Sequence, residues 1–204
     1  MDTDTNIIQL DLFGGDRRPR VAHIWQKEPS GFYVEPTWCS IRLFETETFI
    51  GTVEDHCCGI GRIPEAARRA GYRTIATDIV DRGYKHFDGE LDFLRYDRRV
   101  ENIVSNLPFH LCNEFTRHAL KLAARKVALI WLTRRLNAAH WLQSTPLARI
   151  YLLTPRPSMP PGHVILAGEK PGGGTQDFAW LVFEHGHVGP PAMHWLHRDG
   201  GQHG

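Results

Sequence analysis

Thr52-Val53-Glu54-Asp55-His56-Cys57-Cys58-Gly59-Ile60-Gly61-Arg62-Ile63-Pro64-Glu65-Ala66-Ala67-Arg68-Arg69-Ala70-Gly71-Tyr72 is the stretch on which the fold turns. It parses as a strand, a glycine-bearing turn, a helix and a glycine stop at Gly71. Arg73-Thr74-Ile75-Ala76-Thr77 follows as a second strand and ends at Asp78, about twenty residues beyond the first turn glycine. Glycine lets the backbone approach a bound nucleoside, and an acid at the end of the second strand can accept hydrogen bonds from ribose hydroxyls. The order Asp55-x-x-Cys58-Gly59-x-Gly61 lacks the third glycine of the dinucleotide fingerprint. A ligand without a pyrophosphate needs fewer glycines.

Downstream, Asn102-Ile103-Val104-Ser105 reads as a buried strand and residues 111–124 as an amphipathic helix. Between them stands Asn106-Leu107-Pro108-Phe109, at the carboxyl end of a strand, where open α/β sheets hold their ligands. The combination suits the gripping of a planar amine. The Asn106 side-chain oxygen and the Leu107 carbonyl can each accept one hydrogen from an exocyclic NH₂, Pro108 stiffens the turn, and Phe109 offers a stacking face.

Working outward, Phe32-Tyr33-Val34-Glu35-Pro36 precedes a helical pattern from Trp38 to Phe44, with Pro36 at a plausible first turn. Residues 126–132, 149–153 and 178–183 read as further strands, and residues 136–143 as a helix. A loop over residues 154–177, rich in Pro and Gly, is long enough to be functional or disordered. Residues 1–30, with Arg17, Arg18 and Arg20, read as a weakly ordered arm, residues 31–187 as the one folded domain, and residues 188–204 as a tail.

The chain's 204 residues, 42% hydrophobic and 23% charged, fit one α/β domain with a sizeable core. A net charge of +1 gives no overall basic field, so any nucleic-acid surface is a local patch. The absence of a long apolar run or signal-peptide character predicts a cytoplasmic protein with no membrane segment. Cys39, Cys57, Cys58 and Cys112 include no CxxC pair, and the His-rich end (His185, His187, His194, His197, His203) has no carboxylate or thiol beside it, so no metal site is expected.

In these motifs and their order the sequence resembles the class I S-adenosylmethionine-dependent methyltransferases, and more narrowly the adenine-N6 branch with its phage-type DNA enzymes. The resemblance runs from about Tyr33 to Glu184. It implies a Rossmann-like, seven-stranded, mostly parallel sheet whose last strand runs antiparallel, inserted between the fifth and sixth. It implies S-adenosylmethionine as cofactor. Asp55, Cys57, Cys58, Gly59 and Gly61 match the cofactor loop; Asp78, followed by Ile79, matches the ribose-binding acid; Asp92-Phe93 looks like the step that contacts the cofactor's adenine. Tyr33, Glu35 and Pro36 are similar to the element that approaches its methionine end. Asn106-Leu107-Pro108-Phe109 matches the catalytic Asn/Asp-Pro-Pro-aromatic motif, with Asn106 also near the cofactor and Phe109 on the substrate base. Leu107 departs from the commonest DNA form and is the residue seen in ribosomal-RNA adenine dimethyltransferases. Arg156 and Lys170 in the long loop are candidates for substrate contact. The expected substrate is adenine in DNA. RNA adenine, a protein glutamine, or cofactor binding without catalysis stand as alternatives. Only about twenty residues follow the last expected strand, so target recognition must come from loops or a protein partner, or discrimination is slight.

Overall fold

The apolar runs that the sequence offers become strands buried on both faces, as a sheet layered by helices requires. β4 (Val100–Ser105), β5 (Ala123–Leu132) and β7 (Phe178–Glu184) carry the bulk of that burial. The computed structural model describes residues 28–200; the arm expected at residues 1–30 lies, up to residue 27, outside them.

β1 (Val53–Asp55), β2 (Thr74–Asp78), β3 (Gly89–Glu90), β6 (Leu147–Thr154) and β8 (Ala192–His197) complete one eight-stranded sheet of order β3-β2-β1-β4-β5-β7-β6-β8. β7 runs antiparallel to both β5 and β6, and every other pairing is parallel. The chain winds from β1 outward to β3, then returns to β4 on the other side of β1. That reversal makes the carboxyl ends of β1 and β4 a switch point, where a crevice opens.

Helices cover both faces. α1 (Thr37–Thr46) and α2 (Arg62–Arg69) bury Leu43, Phe44, Ile63 and Ala67 against Val104, Ile130 and Trp180. α3 (Cys112–Leu122) lays Phe115, Ala119 and Leu122, spaced at i, i+4 and i+7, against Ile103, Leu129, Trp131 and Phe183 on the opposite face. α2 opens with Glu65 in its first turn and ends on Arg68 and Arg69, charges that match the helix dipole. At the amino ends of the strands, Glu47 is buried and accepts from Lys126 Nζ at 2.9 Å, Tyr151 Oη at 2.8 Å and the Arg149 guanidinium, which also reaches Glu184 at 2.7 Å. None of the helices in the described residues is long and apolar enough to cross a membrane.

Three elements differ from expectation. Residues 136–143 form no α-helix; two 3-10 turns, Thr133–Ala138 and His140–Ser144, stand there instead. The long loop holds a short helix, α4 (Gly162–Leu166). The segment expected as a tail supplies the eighth strand, β8, added beside β6, with Leu196 buried and His194 stacked on Tyr151 at 5.4 Å. Met193 and Trp195 remain exposed on it, at 56% and 58%, so the in–out alternation that marks a strand is weak in this stretch.

Candidate cofactor and substrate cleft

A cleft of about 910 Å³, counting its open mouth, lies at the switch point. Its walls come from the β1–α2 turn, the end of β2, the turn after β3, the end of β4 and the strap before α1. Of the residues singled out in the sequence, Tyr33, Glu35, Asp55, Cys57, Cys58, Gly59, Asp78, Ile79, Asp92, Phe93, Asn106 and Pro108 line it together. Five motifs scattered over some seventy residues thus meet in one crevice.

The acidic side chains are held individually. Asp55 is 1% exposed; its Oδ1 accepts from Ser105 Oγ at 2.7 Å and the Cys57 N–H at 3.1 Å. Its Oδ2 is buried without a partner. Burial pushes the Asp55 carboxyl well above the usual carboxylate range, with Glu35 and Asp78 adding to the push. A cation brought to Oδ2 would relieve that penalty. Asp78 Oδ2 accepts the Gly59 N–H at 2.8 Å, which ties the glycine turn to the end of β2. Gly59 has φ +53, and a Cβ there would come within 2.9 Å of the Phe32 ring. Asp92 spends Oδ1 on the Leu94 N–H, capping the 3-10 turn Phe93–Arg95. Phe93 is buried and stacks on His56 at 5.1 Å. His56 itself is buried, with Nδ1 2.8 Å from Thr77 Oγ1 and Nε2 3.2 Å from Glu54 Oε2 without hydrogen-bond alignment.

Asn106 ends β4 with its carboxamide fixed. Nδ2 donates to the Tyr33 carbonyl and to Glu35 Oε2, both at 2.9 Å. Oδ1 is buried and has no partner. Burial pushes the Glu35 carboxyl above its usual range, while its own backbone N–H and the Asn106 N–H pull the other way. Beside this pair, Tyr33 stacks on Phe109 at 5.5 Å, and Phe109 meets Phe178 at 5.4 Å.

Other candidates stand elsewhere. Pro36 caps α1. Gly61, at φ +83, starts α2 where a Cβ would fall 2.1 Å from the Tyr84 ring, so its glycine serves packing. Leu107 is 1% exposed, its side chain packed with Ile103 and Phe115, so it is a core residue as well as the bearer of a carbonyl acceptor. Phe109 is half-buried behind Tyr33 and does not line the cleft. Arg156 lies outside it, paired with Asp177 at 2.6 Å and 3.1 Å, and Lys170 is exposed on the loop.

Phe32, Arg62, Arg82, Leu91 and His110 line the cleft without having been singled out. Arg62 donates to the Glu35 carbonyl at 2.8 Å, and Arg82 lies over the Phe32 ring at 3.8 Å. Phe32 adjoins Tyr33 and could have been included with it. Arg82 carries no local signal, because its partner is distant in sequence. The strap is also stitched to the long loop: Val34 N–H donates to Pro160 O at 3.0 Å, and Gly162 N–H to Phe32 O at 2.8 Å.

No family profile matches the chain, and no curated protein matches it. Solved structures do share its fold. An RNA methyltransferase, provisionally so assigned, from Pyrococcus horikoshii superposes at a TM-score of 0.58 and 14% identity, over 80% of this chain and 93% of its own. The modification subunit of a provisionally assigned type I restriction enzyme from Vibrio vulnificus superposes at 0.54 and 13% identity, over 82% of this chain and 47% of that subunit. A Thermoplasma acidophilum protein follows at 0.50 and 15% identity, over 73% and 84%. The chain therefore has the Rossmann-like fold of the class I methyltransferases, extended by β8.

Proposed function

We propose that this protein is an S-adenosylmethionine-dependent methyltransferase that modifies the exocyclic amine of adenine, in DNA. The observation that carries the reading is the Asn106 Oδ1: a buried acceptor with no partner, at the carboxyl end of β4 in the same cleft as the equally unpartnered Asp55 Oδ2. Buried acceptors are almost always satisfied, so two orphans in one cleft point to donors that arrive with ligands. The residues fit the cofactor. Asp55 would take its ammonium group and Asp78 its ribose, while Ile79, Asp92 and Leu91, whose N–H donates to the Asp78 carbonyl at 2.8 Å, would flank its adenine. When bound, the cofactor supplies an electrophilic methyl on a sulfonium.

The chain's own work is to make a poor nucleophile reactive. The amine's lone pair is delocalised into the purine. Accepting its two hydrogens at Asn106 Oδ1 and the Leu107 carbonyl draws that pair back onto nitrogen, and the effect is greatest as positive charge develops there. Tyr33 lines the cleft and is backed by Phe109, so this aromatic tier can stack on the base. An adenine in duplex must first be extruded to reach the cleft. With little net charge, phosphate contacts are few, and target selection rests on loops such as 154–177 or on a protein partner. Lys170 and the loop's Arg156, if released from Asp177, are the candidates for those contacts.

The test offers labelled cofactor with duplex DNA, single-stranded DNA, structured RNA and protein at fixed salt, followed by nucleoside analysis. Label at N6 of DNA adenine is expected. Label at N6 of RNA adenine alone would move the substrate while keeping the mechanism. Label on cytosine or protein, or none at all, would overturn the reading.

A further inference from the structure

The Tyr33–Pro36 strap does more than line the cleft. We propose that Glu35 is the positioning residue that fixes which end of the Asn106 carboxamide faces the reacting amine. The inference rests on the reading of Asn106 as the amine grip.

A side-chain amide has two orientations related by a half-turn, nearly identical in shape and opposite in hydrogen-bonding sense. Only one of them serves an amine, which needs an acceptor. The surroundings must therefore choose. Both hydrogens of Asn106 Nδ2 are used, on the Tyr33 carbonyl and on Glu35 Oε2, each at 2.9 Å. Turning the amide over would press Oδ1 against two oxygens and leave the NH₂ facing the substrate's own NH₂. The Tyr33 carbonyl accepts one hydrogen; Glu35 accepts the second and leaves the flipped orientation with no donor to meet. Glu35 is itself held. Its side chain is buried, Arg62 Nη1 donates to its carbonyl at 2.8 Å, and Pro36 begins α1 directly after it. The strap's likeness points to the methionine end of the cofactor, and Glu35 lines the same cleft with its Oε2 on the Asn106 amide. Its role is indirect, through Asn106.

The experiment compares Glu35→Met, which keeps length and apolar bulk but removes the acceptor, with Glu35→Gln, which can still accept from Asn106. Turnover of Glu35→Met should fall about tenfold, the scale of one lost buried hydrogen bond, with cofactor affinity by calorimetry little changed. Glu35→Gln should recover most of that loss. In an Asn106→Ala background Glu35→Met should have no further effect, since there is no amide left to orient. A second readout needs no transfer: in protein labelled with ¹⁵N-asparagine, the Asn106 NH₂ pair, assigned by its absence from Asn106→Ala, should exchange slowly in the wild type and the Gln variant and fast in the Met variant. Full turnover by Glu35→Met, penalties that simply add in the double variant, or equal NH₂ protection in all three would overturn the proposal. Slow exchange that depends on Glu35 in a wild type that methylates nothing would keep the positioning role and bring down the amine-methylation reading alone.

Discussion

Replacing Asp55 by Asn should move stability and cofactor affinity in opposite directions. The carboxylate is 1% exposed, and only Oδ1 is served, by Ser105 and Cys57. Because its folded pKa is raised, chiefly by burial, the native state resists an ionisation that the unfolded chain undergoes freely near pH 4. The sign follows: the unfolded state binds fewer protons above that pH, so the native state loses stability as pH rises from there through the folded value. Asn keeps an acceptor for Ser105 and Cys57 and removes the charge. The ligand-free variant should therefore melt higher than the wild type at neutral pH, with the gap closing as pH falls toward 4. Cofactor binding should weaken by the worth of one charge-assisted hydrogen bond, about 1.5–3 kcal/mol, or roughly 10- to 150-fold in Kd. Scanning calorimetry over a pH series gives the first quantity and isothermal titration the second. A variant that melts lower at pH 7, or that binds S-adenosylmethionine as tightly as the wild type, would refute the assignment of Oδ2 to the cofactor's ammonium group.

Leu107→Ala should cost about 2–5 kcal/mol in urea unfolding, because the side chain is a buried core residue; a loss under about 1 kcal/mol would contradict its place in the core. Gly61→Ala combines a left-handed backbone, at about 1–2 kcal/mol, with a Cβ 2.1 Å from Tyr84, so the variant should unfold well before the wild type, and an unchanged midpoint would contradict the packing of Tyr84 on Gly61. Glu47→Gln strips the shared carboxylate from Lys126 and Arg149 and should destabilise by about 3 kcal/mol, the low end for a buried pair since the Arg149 side chain is 23% exposed. Burial pushes the Glu47 carboxyl up, but Arg149, Lys126 and Tyr151 together hold it below its usual value, so its contribution is present above about pH 4.3 and is lost as pH falls through the folded value. The difference between Glu47→Gln and the wild type should accordingly shrink in acid; a constant difference down to pH 3 would remove Glu47 from the network.

What could be read in the sequence follows the range of the interactions. The Asp55–Gly61 turn, the acid at Asp78 and the strand ahead of Asn106 are written locally, in glycines, in runs of apolar residues and in spacing. The parallel order then follows from crossover rules, and the cleft from the order. Where a feature depends on a distant partner, local pattern is silent. Arg82 belongs to the cleft because Phe32 lies beneath it. β8 exists because β6 offers it an edge; Pro190 and Pro191 just ahead of it and the exposed Met193 and Trp195 on it all read as loop. At residues 136–143 the helical period was present, but the segment settled into 3-10 turns that bury Leu142 and set Trp141 under Arg117 at 3.9 Å. At Leu107 the motif speaks only for the carbonyl, while the side chain is core because of partners beyond the motif.

That last residue bears on the substrate. Leu in place of Pro at this position is the one feature of the sequence that leans toward RNA, yet its side chain points into the core beside Phe115 and lines no part of the cleft. A residue that touches neither base nor sugar cannot discriminate between nucleic acids by contact. It can act only by shifting the carbonyl it carries, which, on the proposed function, would alter the amine grip equally for adenine in either polymer. Discrimination must then come from surfaces that meet the backbone and the 2′-hydroxyl. The long loop is a candidate for such a surface, since Pro160 and Gly162 are bonded to the strap that holds Asn106. On the proposed function, substrate choice would then fall to this loop.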